Sequence, residues 1–214
     1  MKVELKNIRK SYDTANGKKE VIKGSSFLFP DHTVSIIQGP SGCGKTTLLK
    51  ILALLLKPDS GNYYFCGKEI NFHSQKELAW YRNQKIGYIM QDYLLISGMT
   101  VYENIMLPML ISKKNVYSQI EQIIKYLELQ KILEKKPEKI SGGERQRTAI
   151  ARAMAMQPEL LLADEPTSAL DAENAEKISE LFLDIAQRFG TTIVIATHDH
   201  RIVTKDTQVF QLIE

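Results

Sequence analysis

The sequence predicts an α/β fold with a mainly parallel sheet, an N-terminal antiparallel β portion and an inserted α-helical subdomain. Short apolar runs at residues 33–38, 160–163 and 192–196 alternate with helical segments, which is typical of parallel strands covered on both faces. A glycine-rich turn follows the first run and leads directly into an apolar helix. Residues 102–157 favour helix almost throughout, which predicts the inserted subdomain.

The N-terminal elements are predicted from their residue types and from the turn and proline residues that separate them. Residues 3–8 and 21–29 are predicted as strands on either side of a polar turn that contains Asn16. Residues 45–56 predict an apolar helix that ends before Pro58. Strand, glycine turn and helix therefore follow one another in the order that a phosphate-binding loop requires.

Two later helices complete the pattern. Residues 116–129 place apolar side chains on one helical face. A second amphipathic helix covers 175–189, between the last two apolar runs, and Gly190 ends it. This alternation of strand and helix predicts that the sheet is parallel.

Length and composition are those of one ordinary folded domain. The chain has 214 residues, of which 43% are hydrophobic and 25% charged, so a mainly disordered protein is excluded. The formal net charge of +3 is small and evenly spread, so we expect no nucleic-acid partner. Cys43 and Cys66 lack metal-ligand spacing, and a disulfide framework fits them poorly, which favours a reducing cytosol.

Neither a secretion signal nor a membrane span is expected. The N-terminus alternates charged and apolar residues like a strand, and the most apolar stretch, 94–111, is interrupted by Glu103, Asn104 and Pro108. We therefore expect any membrane role of this chain to depend on a partner.

Residues 39–46 read GPSGCGKT and match the eight-residue phosphate-binding loop. Glycines let backbone N–H groups close around phosphate oxygens at the positive end of the following helix. Lys45 is expected to reach the β- and γ-phosphates of ATP, and the Thr46 hydroxyl to bind Mg²⁺. The residues assigned to this ATP site are Gly39, Pro40, Ser41, Gly42, Cys43, Gly44, Lys45, Thr46 and Thr47.

Plainer interpretations exist for parts of this motif. A glycine turn can simply join a strand to a helix, with no ligand. Cys43 is expected to be only a small residue of the loop, and the alternative is a redox-sensitive thiol activated at the helix N-terminus.

Asp164 and Glu165 end the apolar run 160–163 and bring two carboxylates to the edge of the sheet where ligands bind. Asp164 is expected to hold the hydrated Mg²⁺, and Glu165 to orient and polarise the attacking water. An Asp-Glu pair after a strand also suits a helix N-cap, so the assignment depends on the phosphate-binding loop.

A second phosphate-binding element is predicted at Ser141, Gly142, Gly143 and Glu144, which open a helix with unhindered N–H groups. The same residues fit a capping box in which the side chains of Ser141 and Glu144 bond reciprocally to the backbone. The two interpretations are compatible.

Together these motifs resemble the nucleotide-binding subunit of the ATP-binding cassette (ABC) family over essentially the whole chain. Residues 140–147, ISGGERQR, are similar to the family signature LSGGQ, with Ile140 and Glu144 as departures. Gln91 follows a predicted strand at 86–90, where the family has its Q-loop glutamine.

Three further positions match the family in order along the chain. Asp171 closes the segment Ser168-Ala-Leu-Asp171, which resembles the D-loop. His198 follows the last apolar run and resembles the switch histidine, and Tyr12 lies where the family places an aromatic that stacks on adenine.

The resemblance implies a single ABC ATP-binding domain over 1–214, with a core lobe of 1–91 and 158–214 and a helical subdomain of about 92–157. It also implies a head-to-tail dimer with a second copy of the chain, in which the signature of one copy completes the ATP site of the other. The implied catalytic residues are Glu165, His198, Gln91 and Lys45, and the implied magnesium ligands are Thr46, Gln91 and Asp164. Tyr12, Ser141, Gly142, Gly143, Glu144 and Asp171 are implied nucleotide contacts.

By the same resemblance, the chain powers a multi-spanning transmembrane subunit from the cytoplasm, on the inner face of the cell membrane. The apolar segment 93–111 fits either a docking surface for that subunit or simple packing on the core. The runs GPSGCGKTTLLKIL and ADEPTSALD are similar to the exporter and mechanotransmission branch that serves macrolide efflux, lipoprotein release and antimicrobial-peptide export or resistance.

Other functions within the family stay open. A small importer ATPase shares the same ATP machinery. A non-transport ABC ATPase acting on DNA or ribosomes is disfavoured because no long coiled-coil insertion or second cassette is present. A protein that binds ATP without turnover would be expected to lack Glu165 or His198, and both are present.

Overall fold

A computed structural model describes residues 3–15, 17–112, 114–168 and 170–212. Asn16, in the predicted turn, and Ala169, within the predicted D-loop, lie outside the described residues. The strands are β1 (Val3–Thr14), β2 (Gly17–Phe29), β3 (Val34–Gln38), β4 (Ser60–Phe65), β5 (Lys68–Glu69), β6 (Ile86–Ile89), β7 (Leu160–Asp164), β8 (Thr192–Ala196) and β9 (Thr207–Gln211). The α-helices are α1 (Lys45–Leu52), α2 (Gln75–Gln84), α3 (Val101–Ser112), α4 (Tyr117–Tyr126), α5 (Gly142–Met154) and α6 (Ala172–Phe189), and short 3₁₀ turns cover Gln130–Ile132, Pro137–Lys139 and His200–Ile202.

The central sheet has the strand order β6-β7-β8-β3-β9, and its neighbouring strands run parallel. Successive side chains of a strand point to opposite faces, so Leu160 and Leu162 pack on one side while Leu161 and Ala163 pack on the other. Every residue of β3, β7 and β8 is buried. The predicted parallel sheet, covered on both faces, is confirmed.

The second sheet is antiparallel, with the order β2-β1-β4-β5. Its apolar face packs with α1 against one side of the central sheet, and Phe29, Tyr63 and Phe65 are among the largest buried side chains there. The predicted N-terminal antiparallel β portion is thus confirmed, although β1 and β2 extend beyond the predicted 3–8 and 21–29. Their outer halves are polar and exposed, so apolar patterning gave no signal for them.

Helices α3, α4 and α5 lie between β6 and β7 in the chain and, together with α6, cover the other side of the central sheet. Val101, Ile105 and Met109 share the buried face of α3, and Ile150 and Met154 lie on that of α5. The predicted helical insertion is therefore present, and its apolar residues belong to the same core as the sheet.

The helix predicted over 45–56 is wrong at its C-terminal end, because α1 stops at Leu52. Leu54 has a left-handed φ of 56°, and the N–H groups of Leu55 and Leu56 both donate to the Lys50 carbonyl. These bonds satisfy the last carbonyl groups of the helix and turn the chain towards β4. Apolar composition alone does not signal such a turn.

Candidate ATP site

The loop between β3 and α1 depends on glycine at two positions. Gly44 has a φ of 107°, and a Cβ there would lie 2.6 Å from Cγ1 of Val21. A Cβ on Gly39 would lie 2.4 Å from the Leu212 carbonyl oxygen. Both contacts are far below van der Waals distance, so the loop can hold this shape only with glycine. Cys43 is buried within it.

Lys45 begins α1, and its side chain is held in the mouth of the loop. Its Nζ donates to the carbonyl oxygens of Gly39 at 2.8 Å and Pro40 at 3.2 Å. The same ammonium lies 3.8 Å from Oε1 of Glu165. A buried positive charge therefore faces both the loop and a carboxylate delivered by β7.

Thr46 and Asp164 come together at the end of β7. Oγ1 of Thr46 donates to Oδ1 of Asp164 over 3.2 Å, and the Tyr88 hydroxyl lies 3.5 Å from Oδ2. Burial raises the pKa of the Asp164 carboxyl. A hydroxyl and a single carboxylate are oxygen donors that suit Mg²⁺, which takes few protein ligands and completes its shell with phosphates and water. The described residues contain no group of three or more His, Cys, Asp and Glu side chains placed to hold a metal.

Glu165 follows Asp164 with a left-handed φ of 47°, an unusual conformation for a residue other than glycine. Its N–H donates to the Ala196 carbonyl at 2.8 Å. Nδ1 of His198 lies 3.0 Å from Oε1, and Oγ1 of Thr197 donates to Oε2 over 3.0 Å. The carboxylate is thus fixed by the segment that follows β8, and its side chain is only 12% exposed.

A cavity of about 640 Å³ connects these groups. Lys45, Thr46, Gln91, Glu165 and His198 all line it, together with the loop glycines Gly42 and Gly44. The structure therefore brings four separate sequence motifs to one site, which is large enough for the phosphates of a nucleotide.

Tyr12 lies on β1, beside this cavity but not among the described residues that line it. Its ring is 39% exposed, and its hydroxyl is 3.3 Å from Oγ1 of Thr47 at the start of α1. The Lys10 ammonium lies over the Tyr12 ring, 5.9 Å from its centroid.

The predicted second phosphate-binding element lies elsewhere. Ser141, Gly142, Gly143 and Glu144 line a different cavity of about 430 Å³, which Asp171 also lines. The capping box is present: Oγ of Ser141 accepts from the Glu144 N–H, and Oε2 of Glu144 accepts from the Ser141 N–H at 2.7 Å. That second bond lowers the pKa of the Glu144 carboxyl.

Asp171 caps α6 in the same way. Its Oδ1 accepts from the Asn174 N–H at 2.9 Å, which lowers the pKa of the Asp171 carboxyl. Arg147 and Asn174 also line the second cavity and were not singled out in the sequence. Arg147 ends the signature segment 140–147, in which it was given no role, whereas Asn174 belongs to no predicted motif and is placed there by the first turn of α6.

Three further residues beside the first cavity were also missed: Val21, Tyr88 and Thr197. Val21 lies on β2, far from the motif in sequence, and no local signal identifies it. Thr197 directly precedes His198 and was the most accessible to sequence reasoning. Within the described ranges, none of the helices has the length and apolar character needed to cross a lipid bilayer.

Known proteins are similar to this chain in sequence and in fold. The profile of the family described as ABC transporter matches residues 22–168. The lipoprotein-releasing system ATP-binding protein LolD of Bacteroides fragilis (strain YCH46) is 37% identical over 99% of this chain and 98% of its own length. The methionine import ATP-binding protein MetN 1 of Bacillus cereus (strain ATCC 10987 / NRS 248) is 40% identical over 95% of this chain, which spans only 59% of that protein.

Solved structures lead to the same family. The dimeric structure of MJ0796, a bacterial ABC transporter cassette, superposes with a TM-score of 0.86 at 33% identity, over 98% of this chain and 94% of the other. A dimeric post-hydrolysis state of the same cassette, bound to ADP and Pi, gives a TM-score of 0.83 at 37% identity, over 94% of this chain and 89% of the other. The expected fold is thus that of known relatives, and the chain belongs to the ABC transporter family as an ATP-binding, ATP-hydrolysing subunit.

Proposed function

We propose that two copies of this chain close head to tail over ATP and that this movement drives a separate transmembrane subunit. The observation that carries the proposal is the separation of the two phosphate-binding elements. Lys45 and Ser141 line different cavities of the same chain. A second copy, placed head to tail, would bring its Ser141 to the phosphates held by Lys45. The dimeric state of the solved relatives supports this arrangement.

Within the composite site, the chain's own groups have distinct roles. Lys45 binds the β- and γ-phosphates. Glu165 accepts a proton from the attacking water, because it is a carboxylate fixed at the edge of the cavity. His198 contacts the γ-phosphate and orients Glu165, to which its ring is bonded. Gln91 also lines the cavity and senses the nucleotide state.

The metal would be held by Thr46, Asp164 and Gln91, of which the first two are already in contact. Mg²⁺ held by these residues would supply positive charge that offsets the negative charge of the phosphates. Tyr12 stacks on the adenine, since its exposed ring lies next to the start of α1. Signature residues Ser141, Gly142, Gly143 and Glu144 complete the γ-phosphate site of the partner copy.

A cleft of about 240 Å³ between the core lobe (1–91 and 158–214) and the helical subdomain (about 92–157) is the proposed docking place of the transmembrane subunit. Tyr88, Pro108, Ile111 and Arg152 line it, and Ile111 is 66% exposed. Arg152 also donates to the carbonyl oxygens of Tyr93 at 2.6 Å and Leu94 at 2.7 Å. These bonds connect the cleft to the segment that follows Gln91.

Docking to such a partner places the chain in the cytoplasm, on the inner face of the membrane. We assign the transporter to the export and mechanotransmission branch. The near end-to-end match with LolD, a lipoprotein-releasing protein, supports this assignment. Import of a small molecule is the second candidate, and the 40% identity with MetN 1 favours it, although that relative is a longer chain.

Purification of the tagged full chain from membranes of its native host tests the transport role. A multi-spanning partner should be recovered in stoichiometric amounts, and the ATPase activity of the recovered complex should depend on Lys45. Recovery of ribosomes or DNA without a membrane protein would contradict the transporter assignment. A recovered partner that requires a substrate-binding protein from outside the cell would favour import over export.

A further inference from the structure

Thr197 lies between β8 and His198 and contacts Glu165 from inside the fold. Its side chain is fully buried, and its Oγ1 donates to Oε2 of Glu165 over 3.0 Å. The other carboxylate oxygen, Oε1, has His198 Nδ1 at 3.0 Å and Lys45 Nζ at 3.8 Å. Oε2 also accepts from the His198 backbone N–H at 3.4 Å, so Thr197 is its side-chain donor, whereas Oε1 faces the side chains of His198 and Lys45.

The hydroxyl of Thr197 is itself fixed in direction. Its Oγ1 accepts a hydrogen bond from the Asp199 N–H at 2.9 Å, and its own N–H donates to the Ile37 carbonyl at 3.1 Å. A hydroxyl has one proton. Since the Asp199 N–H can only donate and an ionised carboxylate can only accept, the hydroxyl proton is directed at Glu165. The branched Cβ restricts the χ1 angle of Thr197 further.

Glu165 needs such a restraint because its side chain has several rotatable bonds, and holding it in one rotamer costs conformational entropy. Its backbone is fixed by the bond to Ala196 and has a left-handed φ. That backbone conformation fixes the direction in which the side chain leaves the backbone, but it does not fix the position of the carboxylate group. A buried donor on one oxygen determines the orientation of the other.

We infer that Thr197 is a positioning residue for Glu165, whose Oε2 it holds so that Oε1 faces the cavity beside Lys45 and His198. The inference rests on the proposed function, in which Glu165 accepts the proton of the attacking water. Among the described residues, Thr197 is not one that lines the cavity. It therefore acts on turnover through Glu165 and not through contact with ATP.

Thr197→Val tests the inference, because it replaces the hydroxyl by a methyl group of similar volume. We expect kcat for ATP hydrolysis by the full chain to fall about tenfold, with KM for ATP changed by less than about twofold. Thr197→Ser keeps the hydroxyl and should retain kcat within about twofold of the wild type.

Thr191→Val is the matched control. Thr191 is equally buried, just before β8, and its Oγ1 donates to the Pro158 carbonyl at 3.1 Å, away from the cavity. The control loses a buried hydrogen bond and should lower the melting temperature about as much as Thr197→Val, while kcat stays unchanged. The difference between the two variants measures the effect of the Thr197 hydroxyl, which donates to Glu165 and accepts from the Asp199 N–H, apart from the general loss of a buried hydroxyl.

A kcat for Thr197→Val within twofold of the wild type would overturn the inference. An equal loss of kcat in Thr197→Ser or in Thr191→Val would also overturn it. Either result would attribute the lower kcat to a general disturbance of the fold. Glu165→Gln is measured in parallel. If Glu165→Gln turns over like the wild type, the proposed role of Glu165 fails as well. If Glu165→Gln loses ATP hydrolysis while Thr197→Val keeps the wild-type kcat, only the role of Thr197 fails.

Discussion

Nδ1 of His198 lies 3.0 Å from Oε1 of Glu165, although 33 residues separate them in the chain. They meet because β7 and β8 are parallel neighbours whose carboxyl ends lie at the same edge of the sheet. The Lys45 ammonium approaches the same carboxylate oxygen from the loop after β3, the other neighbour of β8. Three adjacent strands thus deliver a carboxylate, an imidazole and an ammonium group to one cavity.

Glu165→Gln should stop turnover while ATP binding persists. The amide keeps the size of the side chain but accepts no proton, and loss of a general base lowers kcat by at least about 100-fold. ATP then holds the dimer closed, so size-exclusion chromatography with ATP and Mg²⁺ should show a dimer.

Glu77→Gln serves as the control for this substitution. Glu77 lies on α2, away from the cavity, and its carboxylate forms an ion pair with Lys68. It should hydrolyse ATP at the wild-type rate. Unchanged ATPase activity in Glu165→Gln would remove Glu165 from the role of base.

Ser141→Asp should abolish hydrolysis without unfolding α5. Aspartate is as good an N-cap as serine, so the helix start stays satisfied. Its charge, however, repels the γ-phosphate held by the partner copy. We expect kcat/KM to fall at least about 100-fold, because a like charge acts directly on the reacting group, while the melting temperature stays close to the wild-type value.

Binding of ATP to the isolated Ser141→Asp monomer distinguishes a composite site from a site within one chain. Under the head-to-tail arrangement, Kd for ATP measured at low protein concentration should not change. A weakened Kd in the monomer would show that Ser141 contacts nucleotide in its own chain, against the proposed dimer.

Asp199→Asn should make the free energy of unfolding less dependent on pH in the acid range. Hydrogen bonds from the Arg201 side chain lower the pKa of Asp199 to about 2, from an ordinary value of 3.8. Because the folded state prefers the ionised form, the stabilisation is complete above about pH 4 and is lost as pH falls towards 2.

The wild type should therefore exceed Asp199→Asn by about 1 to 2 kcal/mol in the free energy of unfolding at pH 7, allowing for solvent screening of the exposed Arg201. Urea denaturation at several pH values measures this difference, which should shrink to nearly zero close to pH 2. A constant difference across that range would contradict ionisation as its cause.

Ile111→Glu should disconnect the chain from its membrane partner and leave its own chemistry intact. Ile111 is 66% exposed and lines the cleft proposed as the docking place. A carboxylate there is costly to bury in an apolar interface. Co-purification of the transmembrane subunit should be lost, while ATP hydrolysis by the purified chain stays within about twofold of the wild type, because the two surfaces are separate.

Tyr117→Glu provides the comparison, since Tyr117 is 49% exposed on α4 and does not line the cleft. It should keep the partner. Equal loss of the partner in both variants would argue against the cleft as the docking place.

The sequence by itself determined the fold class, the family and the order of the motifs. Local signals suffice there: the phosphate-binding loop 39–46 has a fixed spacing, and the buried strands β3, β7 and β8 are short apolar runs. It did not predict α2, where only Leu78 and Tyr81 are buried, because one helical turn of apolar residues is too little periodicity.

Only the tertiary structure decided which motifs meet. Strand order places β8 between β7 and β3, so Glu165, His198 and Lys45 share a cavity. The same packing leaves Ser141 at a different cavity, of about 430 Å³, whose described lining includes none of residues 39–46. Such relationships arise from long-range pairing between strands and helices, and the pattern of residues along a chain does not encode them locally.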